Sequence, residues 1–287
     1  MRLMPLTEHQ LQCGRLELDL SVPHIMGILN VTPDSFSDGG KYLATEQALA
    51  HALQMMSDGA TVIDIGGEST RPGAAVVSEI EEMRRVIPVV EALAQHDVVI
   101  SIDTSTPSVM RAAVAAGAHI WNDVRGLTRA GALETAVELD IPVILMHMRG
   151  EPDTMNSLAH YENVTAEVIQ ELKLRITEAL AAGVKAEHII VDPGFGFAKN
   201  TEQNLQLLNE FDQLHQLGYP VMSALSRKRF LGEVIGELAA DQRVVSSVVA
   251  HLICVQQGAC MLRVHDVKAT ADALKVWQAM QVQSVQR

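Results

Sequence analysis

The stretch TVIDIGGESTRPGAAVVSEIEEMRRVIPVVEALAQHDVVISID, residues 61–103, decides the fold. It opens on TVIDIGG (61–67), a run too continuous in Val and Ile to be a strand with one wet face. Such a run suits a strand buried on both faces, as in a parallel sheet. A loop dense in Gly and Pro follows. Ser78–Gln95 then reads as a helix, with Ser78 three residues before Glu81 in a capping-box arrangement. The chain returns in VVISID (98–103), a second run of the same kind. Strand, helix and strand make one βαβ unit.

The pattern repeats in both directions. HIMGILNV (24–31) precedes it; AHIWND (118–123), PVILMHM (142–148), HIIVDPG (188–194), PVMSALS (220–226) and MLRVHDV (261–267) follow, which makes eight runs. Helical stretches separate them: Thr45–Asp58 with a Thr cap, Thr106–Ala116 with Pro107 at its first turn, Arg129–Leu139, Tyr161–Ala182, Thr201–Leu217, Ala239–Gln257 and Lys268–Val282. Gly59, Gly117, Gly183, Gly218 and Gly258 stand just past helix ends, where a left-handed residue is wanted. Eight strand–helix units predict a TIM (β/α)8 barrel in the α/β class, with an open doubly wound sheet as the alternative. LQCGRLELDL alternates within the first 20 residues and predicts a short N-terminal β-hairpin at the barrel floor. No linker or low-complexity tract interrupts the chain, so residues 1–287 are expected to form a single domain.

Composition narrows the function. The 287 residues are 48% hydrophobic and 20% charged, which supports a buried core rather than disorder. A formal net charge of −13 and only 3% aromatic residues argue against nucleic acid as a partner. Any anionic ligand therefore needs a local cluster of cations. Three cysteines (Cys13, Cys254 and Cys260) without a C-x-x-C spacing suit ordinary thiols in a reducing cytoplasm. No apolar run is long enough for a signal peptide or a membrane span.

Each strand-like run ends in groups foreign to a core: Asn30; Asp64 and then Glu68 to Arg71; Asp103; Asn122 and Asp123; His147 and Arg149; Asp192; Ser226 to Lys228; Arg263, His265 and Asp266. Taken singly, each has a structural reading as a helix cap or a satisfied core-edge residue. In a closed parallel barrel they surround one mouth, where TIM-barrel active sites lie. Asp103, Asn122 and Asp192 offer acceptors and an amide donor, suited to the edge of an amino-pyrimidinone ring. Arg71, Arg263 and His265 offer donors suited to phosphate oxygens, and Asn30 can join them directly or through a metal. VTPDSFSDGGKY (31–42) and GGESTRPGAAVVS (66–78) are loops of the length that lids have. GFGFAKN (194–200) lacks the spacing of a phosphate-binding glycine loop.

Taken in order, GILNVTPDSFSDGG (27–40), DIGGESTRPGA (64–74), SIDT (101–104), NDVRGL (122–127), DPGFGFAK (192–199), SRKRFLG (226–232) and RVHDV (263–267) resemble the dihydropteroate synthase family of pterin-binding TIM barrels. The resemblance spans nearly the whole chain. It implies an SN1-like condensation of 6-hydroxymethyl-7,8-dihydropterin pyrophosphate with p-aminobenzoate to give 7,8-dihydropteroate and pyrophosphate. It implies that Asp103, Asn122, Asp192 and Lys228 serve the pterin, and Asn30, Arg71, Arg263 and His265 the pyrophosphate. It further implies Mg2+ at Asn30, with Thr70, Arg71, Pro72, Phe197, Ser226 and Lys228 around p-aminobenzoate. Asp103, Asp192, Lys228 and Arg263 are the implied catalytic group. A homodimer is implied, and no membrane or nucleic-acid partner.

Two rivals share the pterin edge: a pterin-binding methyltransferase barrel, which has no need of Thr70-Arg71-Pro72 or the SRK segment, and a non-catalytic paralogue, which usually loses site residues. This chain departs from the family at Ala198, where Gly is frequent, and at Arg229, where a small or polar residue is frequent. Ala198 would be strained if that position needs positive φ.

Overall fold

The computed structural model describes residues 9–31, 40–68 and 77–285. Strands β1 (Gln10–Cys13) and β2 (Leu16–Asp19) form an antiparallel hairpin turned at Gly14, which has φ +61°. Strands β3 (His24–Asn30), β4 (Val62–Gly66), β5 (Val99–Asp103), β6 (Ile120–Asp123), β7 (Val143–Met146), β8 (Ile189–Asp192), β9 (Met222–Ser223) and β10 (Met261–Val264) form one parallel sheet in the order β8-β7-β6-β5-β4-β3-β10-β9. A parallel bridge between Val191 and Val221 joins the two edges, and Val191 N donates to Pro220 O at 2.9 Å. The sheet is therefore closed, and the open-sheet alternative is excluded.

Helices α1 (Gly40–Asp58), α2 (Glu79–Leu93), α3 (Pro107–Ala116), α4 (Ala132–Leu139), α5 (Val164–Ala182), α6 (Thr201–Asn209), α7 (Arg229–Val234), α8 (Val244–Gln256) and α9 (Val267–Val285) follow the barrel strands. Strand residues alternate between the two faces of the sheet. Ile25, Leu29, Ile63, Ile65, Ile100 and Ile102 point outward into the main core shared with the helices. Met26, Val62, Val99, Ile120, Ile144, Ile190, Met222 and Met261 point inward at the base of the barrel. There they meet Leu11, Cys13, Leu18 and Leu20 of the hairpin, so the hairpin closes the floor as its alternation predicts.

The differences from the sequence reading have local causes. The run at 220–226 contributes only Met222–Ser223 to the ladder, because the chain then turns at Arg227, whose φ is +58°. The helix expected over Thr201–Leu217 ends at Asn209 and continues as a 3-10 segment, Phe211–Leu217. Helix α5 starts at Val164 rather than Tyr161, because the Asn163 side chain caps it by accepting from Ala166 N at 3.1 Å. Helix α1 starts at Gly40, ahead of the expected Thr45 cap, and α8 starts at Val244 after a 3-10 turn. At α2 Ser78 accepts from Glu81 N at 3.3 Å, but the Glu81 carboxylate goes to Arg84 and Arg85 instead of completing a capping box. Cys13, Cys254 and Cys260 are unpaired and buried, and burial pushes each thiol up to about 12. Among the described residues no helix is long and apolar enough to cross a membrane.

Candidate active site

Alternation places polar side chains above the apolar floor. Asp64 stands two residues above Val62, Ser101 above Val99, Asn122 above Ile120, Asp192 above Ile190 and Arg263 above Met261. One step higher come Asn30, Asp103, Ser226 and His265. These line the wall of a cavity of about 1150 Å³ at the C-terminal ends of the strands, with Phe197, Lys228 and Arg263. Gly66 sits between Asn30 and Asp103, where a Cβ would contact both.

The lower tier is a hydrogen-bonded ion network. Asp64 is fully buried; its Oδ1 accepts from Ser101 Oγ at 2.6 Å, and its Oδ2 from Arg263 Nε at 2.6 Å and Asn122 Nδ2 at 3.1 Å. Arg263 Nη2 donates to Asp103 Oδ2 at 2.6 Å. One guanidinium thus bridges two carboxylates, which makes the ligand-free network close on itself. Burial pushes the Asp103 carboxyl upward; Arg263 opposes, while Asp64, Asp123 and Glu82 add to the rise. Asp192 is pushed to about 6 by burial, against the Gly194 N–H and the charges of Lys228, Arg263 and Lys199. Its Oδ1 accepts from Gly194 N at 2.8 Å.

Above the network stand Ser226, His265 and Lys228. Ser226 Oγ accepts from His265 N at 3.1 Å and also lies 3.1 Å from His265 Nδ1. In the tautomer in which Nδ1 accepts the hydroxyl proton, Nε2 is an N–H donor. Burial, with Arg263 and Arg227 nearby, pulls His265 down to about 3, so the ring is neutral at pH 7. Lys228 Nζ lies 4.1 Å from the centre of the Phe197 ring, a cation–π contact, and its stem passes over Gly196. The tight turn that presents Ser226 and Lys228 is held by Arg227, which donates to Asp266 at 2.9 and 2.5 Å, and by Ser247 Oγ, which accepts from Arg227 N.

The structure brings together Asp103, Asn122, Asp192, Lys228, Arg263, Asn30, His265, Phe197 and Ser226. Thr70, Arg71 and Pro72, with most of both long loops, lie outside the described residues. Sequence reasoning noticed Asp64 but assigned it nothing; its place among Ser101, Asn122 and Arg263 makes it the centre of the network. It also passed over Lys199. This buried amine donates to Gly194 O at 2.9 Å, to Phe197 O at 3.0 Å and to His147 Nδ1 at 3.0 Å. His147 is the satisfied histidine its position suggested: Nε2–H donates to Glu171 at 2.9 Å, and burial pulls the ring down to about 4.

Ala198 does adopt the left-handed conformation, with φ +47°, and it is fully buried. Relief of a left-handed non-glycine residue is worth about 1–2 kcal/mol. Against it stand about 0.4–1 kcal/mol of unfolded-state entropy and about 0.8 kcal/mol for the lost methyl. The two sides nearly cancel, so Ala198→Gly should move the urea-unfolding free energy by less than about 1 kcal/mol. A larger gain would mean that the methyl contributes no packing. Arg229 pairs with Glu233 at 2.7 Å on α7, so the extra cation is already partnered at the cavity edge.

No group of three or more His, Cys, Asp or Glu residues is poised for a metal among the described residues. Asn30 shares the cavity wall with Glu68 and Asp103. Magnesium keeps several waters and takes phosphate oxygens beside one or two protein oxygens, and the oxygens at this wall are the Asn30 amide and the Glu68 and Asp103 carboxyls.

A closed parallel barrel that gathers buried carboxylates, an arginine and a lysine at the C-terminal ends of its strands is of the class of barrel enzymes. The sequence signature of the pterin binding enzyme family matches residues 26–265. The dihydropteroate synthase of Haemophilus influenzae is 53% identical over 263 residues, covering 91% of this chain and 95% of that protein. The solved Xanthomonas albilineans dihydropteroate synthase with 4-aminobenzoic acid superposes with a TM-score of 0.90 at 52% identity, covering 96% of this chain and 99% of that one. A structure of that organism's enzyme in complex with 7,8-dihydropteroate gives 0.87 at 50% identity, with 95% and 98% covered. The chain belongs to the pterin-binding enzymes and, among them, to the dihydropteroate synthase family. It is a transferase.

Proposed function

We propose that this mouth joins the 6-hydroxymethyl carbon of a dihydropterin pyrophosphate to the amine of p-aminobenzoate, with the work divided between its two tiers. The observation that supports the division is vertical: Asn122 and Asp192 stand one register step below the cavity wall, 2% exposed each, and Ser226 and His265 line that wall with Phe197 and Lys228. Asp192 and Asn122 hold the amino-pyrimidinone edge, with Asp103 beside them. Arg263, His265 and Asn30 receive the pyrophosphate, together with Arg71 from the second loop. Phe197, Ser226, Lys228, Thr70 and Pro72 hold p-aminobenzoate.

The bond to be broken joins a CH2 on an electron-rich ring to a pyrophosphate oxygen. The ring delocalises positive charge, so departure precedes attack and no protein nucleophile is required. Arg263 and the His265 Nε2–H stabilise charge on the departing group. Asp192, as a carboxylate, offsets the charge left on the pterin. Asn30 would hold Mg2+ with water and phosphate oxygens, and the ion would neutralise pyrophosphate charge. The aniline nitrogen then attacks from contact distance, where its positioning supplies much of the rate.

Turnover by purified chain with the pterin pyrophosphate, p-aminobenzoate and Mg2+ tests the reading. Dihydropteroate must appear only when both substrates are present, and chelation must slow it. Folded protein that yields no dihydropteroate with all three additions, or releases pyrophosphate without forming it, would overturn the reading. The pH profile tests Asp192 separately. A carboxyl raised to about 6 loses its acceptor role as pH falls through that value. The acid limb of kcat/KM for the pterin substrate should therefore lie near 6 rather than near the ordinary ~4 of a carboxylate. A flat profile down to pH 5 would remove Asp192 from the scheme.

A homodimer is part of the same reading. Val245 and Val249 on α8, one turn apart, are 77% and 52% exposed, and Val276 and Met280 on α9 repeat the spacing. Such a face suits a second copy of the chain. Sedimentation should give a dimer, and Val249→Glu a monomer. The buried unpaired thiols suit the cytoplasm as its place of work.

A further inference from the structure

We propose that Lys199 is a positioning residue for the transferase reaction, acting on the p-aminobenzoate side through the turn that carries Phe197. The inference rests on the assignment of Phe197 to that side. Lys199 Nζ, pulled down to about 7 by burial, lies within hydrogen-bond reach of three acceptors: Gly194 O at 2.9 Å, Phe197 O at 3.0 Å and His147 Nδ1 at 3.0 Å. The geometry fixes the direction of each bond. His147 Nε2–H donates to Glu171, so Nδ1 has a lone pair for the ammonium. Glu171 is shared with Arg149, which also donates to Glu167 at 2.7 Å and lies 3.9 Å from the Tyr161 ring centre. A chain of hydrogen bonds therefore runs from α5 through His147 to the underside of the turn.

The turn has other anchors: Gly194 N donates to Asp192 Oδ1 at 2.8 Å and Asn204 Nδ2 to Lys199 O at 3.1 Å. Gly194, Gly196 and Ala198 all have positive φ, at +67°, +76° and +47°. Phe197 N donates to Gly194 O, and Gly196 N to Asn204 Oδ1. Gly194 lies so close to β7 that a Cβ there would stand 2.0 Å from His147 O. Of the three positive-φ residues only Ala198 carries a conformational cost, and the turn's carbonyls at 194 and 197 face inward, where Lys199 holds both. Asp192 is different. It belongs to β8 and is placed by the strand ladder, so the loss of Lys199 displaces Phe197, and the Lys228 above its ring, more than Asp192.

Lys199→Met keeps the stem and removes the ammonium. The expected result is a rise of about ten- to a hundredfold in KM for p-aminobenzoate, the scale of a sub-ångström to 1 Å misplacement. The dissociation constant of the pterin pyrophosphate, measured without p-aminobenzoate, should rise by a smaller factor than that KM, because the substitution removes a through-space charge acting on Asp192 but no contact to the ring edge. A variant that is merely less stable, with an unchanged KM, would overturn the proposal, as would an equal loss on both substrates. If Lys199→Met does not fold, His147→Gln takes its place. It removes the ring acceptor and leaves both carbonyl bonds, and it should raise the same KM by a smaller factor; no selective rise overturns the proposal. The parent chain, assayed in parallel, separates a failure of this assignment from a failure of the activity itself.

Discussion

Arg263→Met should destabilise the protein by about 3–5 kcal/mol and abolish turnover. The guanidinium lies between Asp64 and Asp103 at 2.6 Å from each. Asp64 has no exposure, and Asp103 has 8%. Methionine fills a similar volume but leaves two carboxylates, one above the other, without their shared cation. The cost of an uncompensated buried charge exceeds the cost of an exposed ion pair several-fold, because the lost partner cannot be replaced by water. Denaturant unfolding at pH 7 measures it. The same experiment at pH 5 should show a smaller loss, since Asp103 is already pushed up by burial and takes a proton sooner. A stability loss below about 1 kcal/mol at pH 7 would show that the network carries little net energy.

Asp192→Asn should leave the fold intact and lower kcat/KM about ten- to a hundredfold, the equivalent of one charge-assisted hydrogen bond of about 1.5–3 kcal/mol. Asparagine retains the oxygen that accepts from Gly194 N at 2.8 Å, so the turn below Phe197 keeps its anchor. What it loses is the negative charge facing the pterin, and it offers an N–H where the ring presents another. The effect should fall on kcat as well as on binding, because the charge matters most when the ring is cationic. The acid limb near 6 should disappear with the carboxyl. Wild-type kinetics in Asp192→Asn would assign the limb and the ring edge to Asp103.

Much of this was legible in the sequence, for physical reasons. Continuous Val and Ile runs specify strands buried on both faces, and glycines past helix ends specify where each helix stops. The mouth was legible because polar residues at the ends of such runs have no place in a core. Asp64 was harder to assign. It stands inside VIDIG, and its meaning comes from register alone: Ser101 lies 37 residues away, Asn122 58 and Arg263 199. Lys199 was not legible at all. A lysine after a glycine-rich turn reads as a surface residue, and only the fold of the turn brings two carbonyls and an imidazole around it. Helix α7 inside SRKRFLG is six residues long, too short to display a period. Ala198 was legible as a question and needed the backbone for its answer.

The hairpin floor separates two kinds of evolutionary pressure. Leu11, Cys13, Leu18 and Leu20 pack against the bases of the barrel strands, a full tier below Asp64 and Asn122. Substitutions there alter how firmly the scaffold stands without touching a group that meets substrate. Active sites trade firmness for reactivity, as buried carboxylates and a strained turn do here. A barrel plugged at its opposite end can recover that loss at a distance. Laboratory selection for thermal tolerance should therefore accumulate its changes around the hairpin.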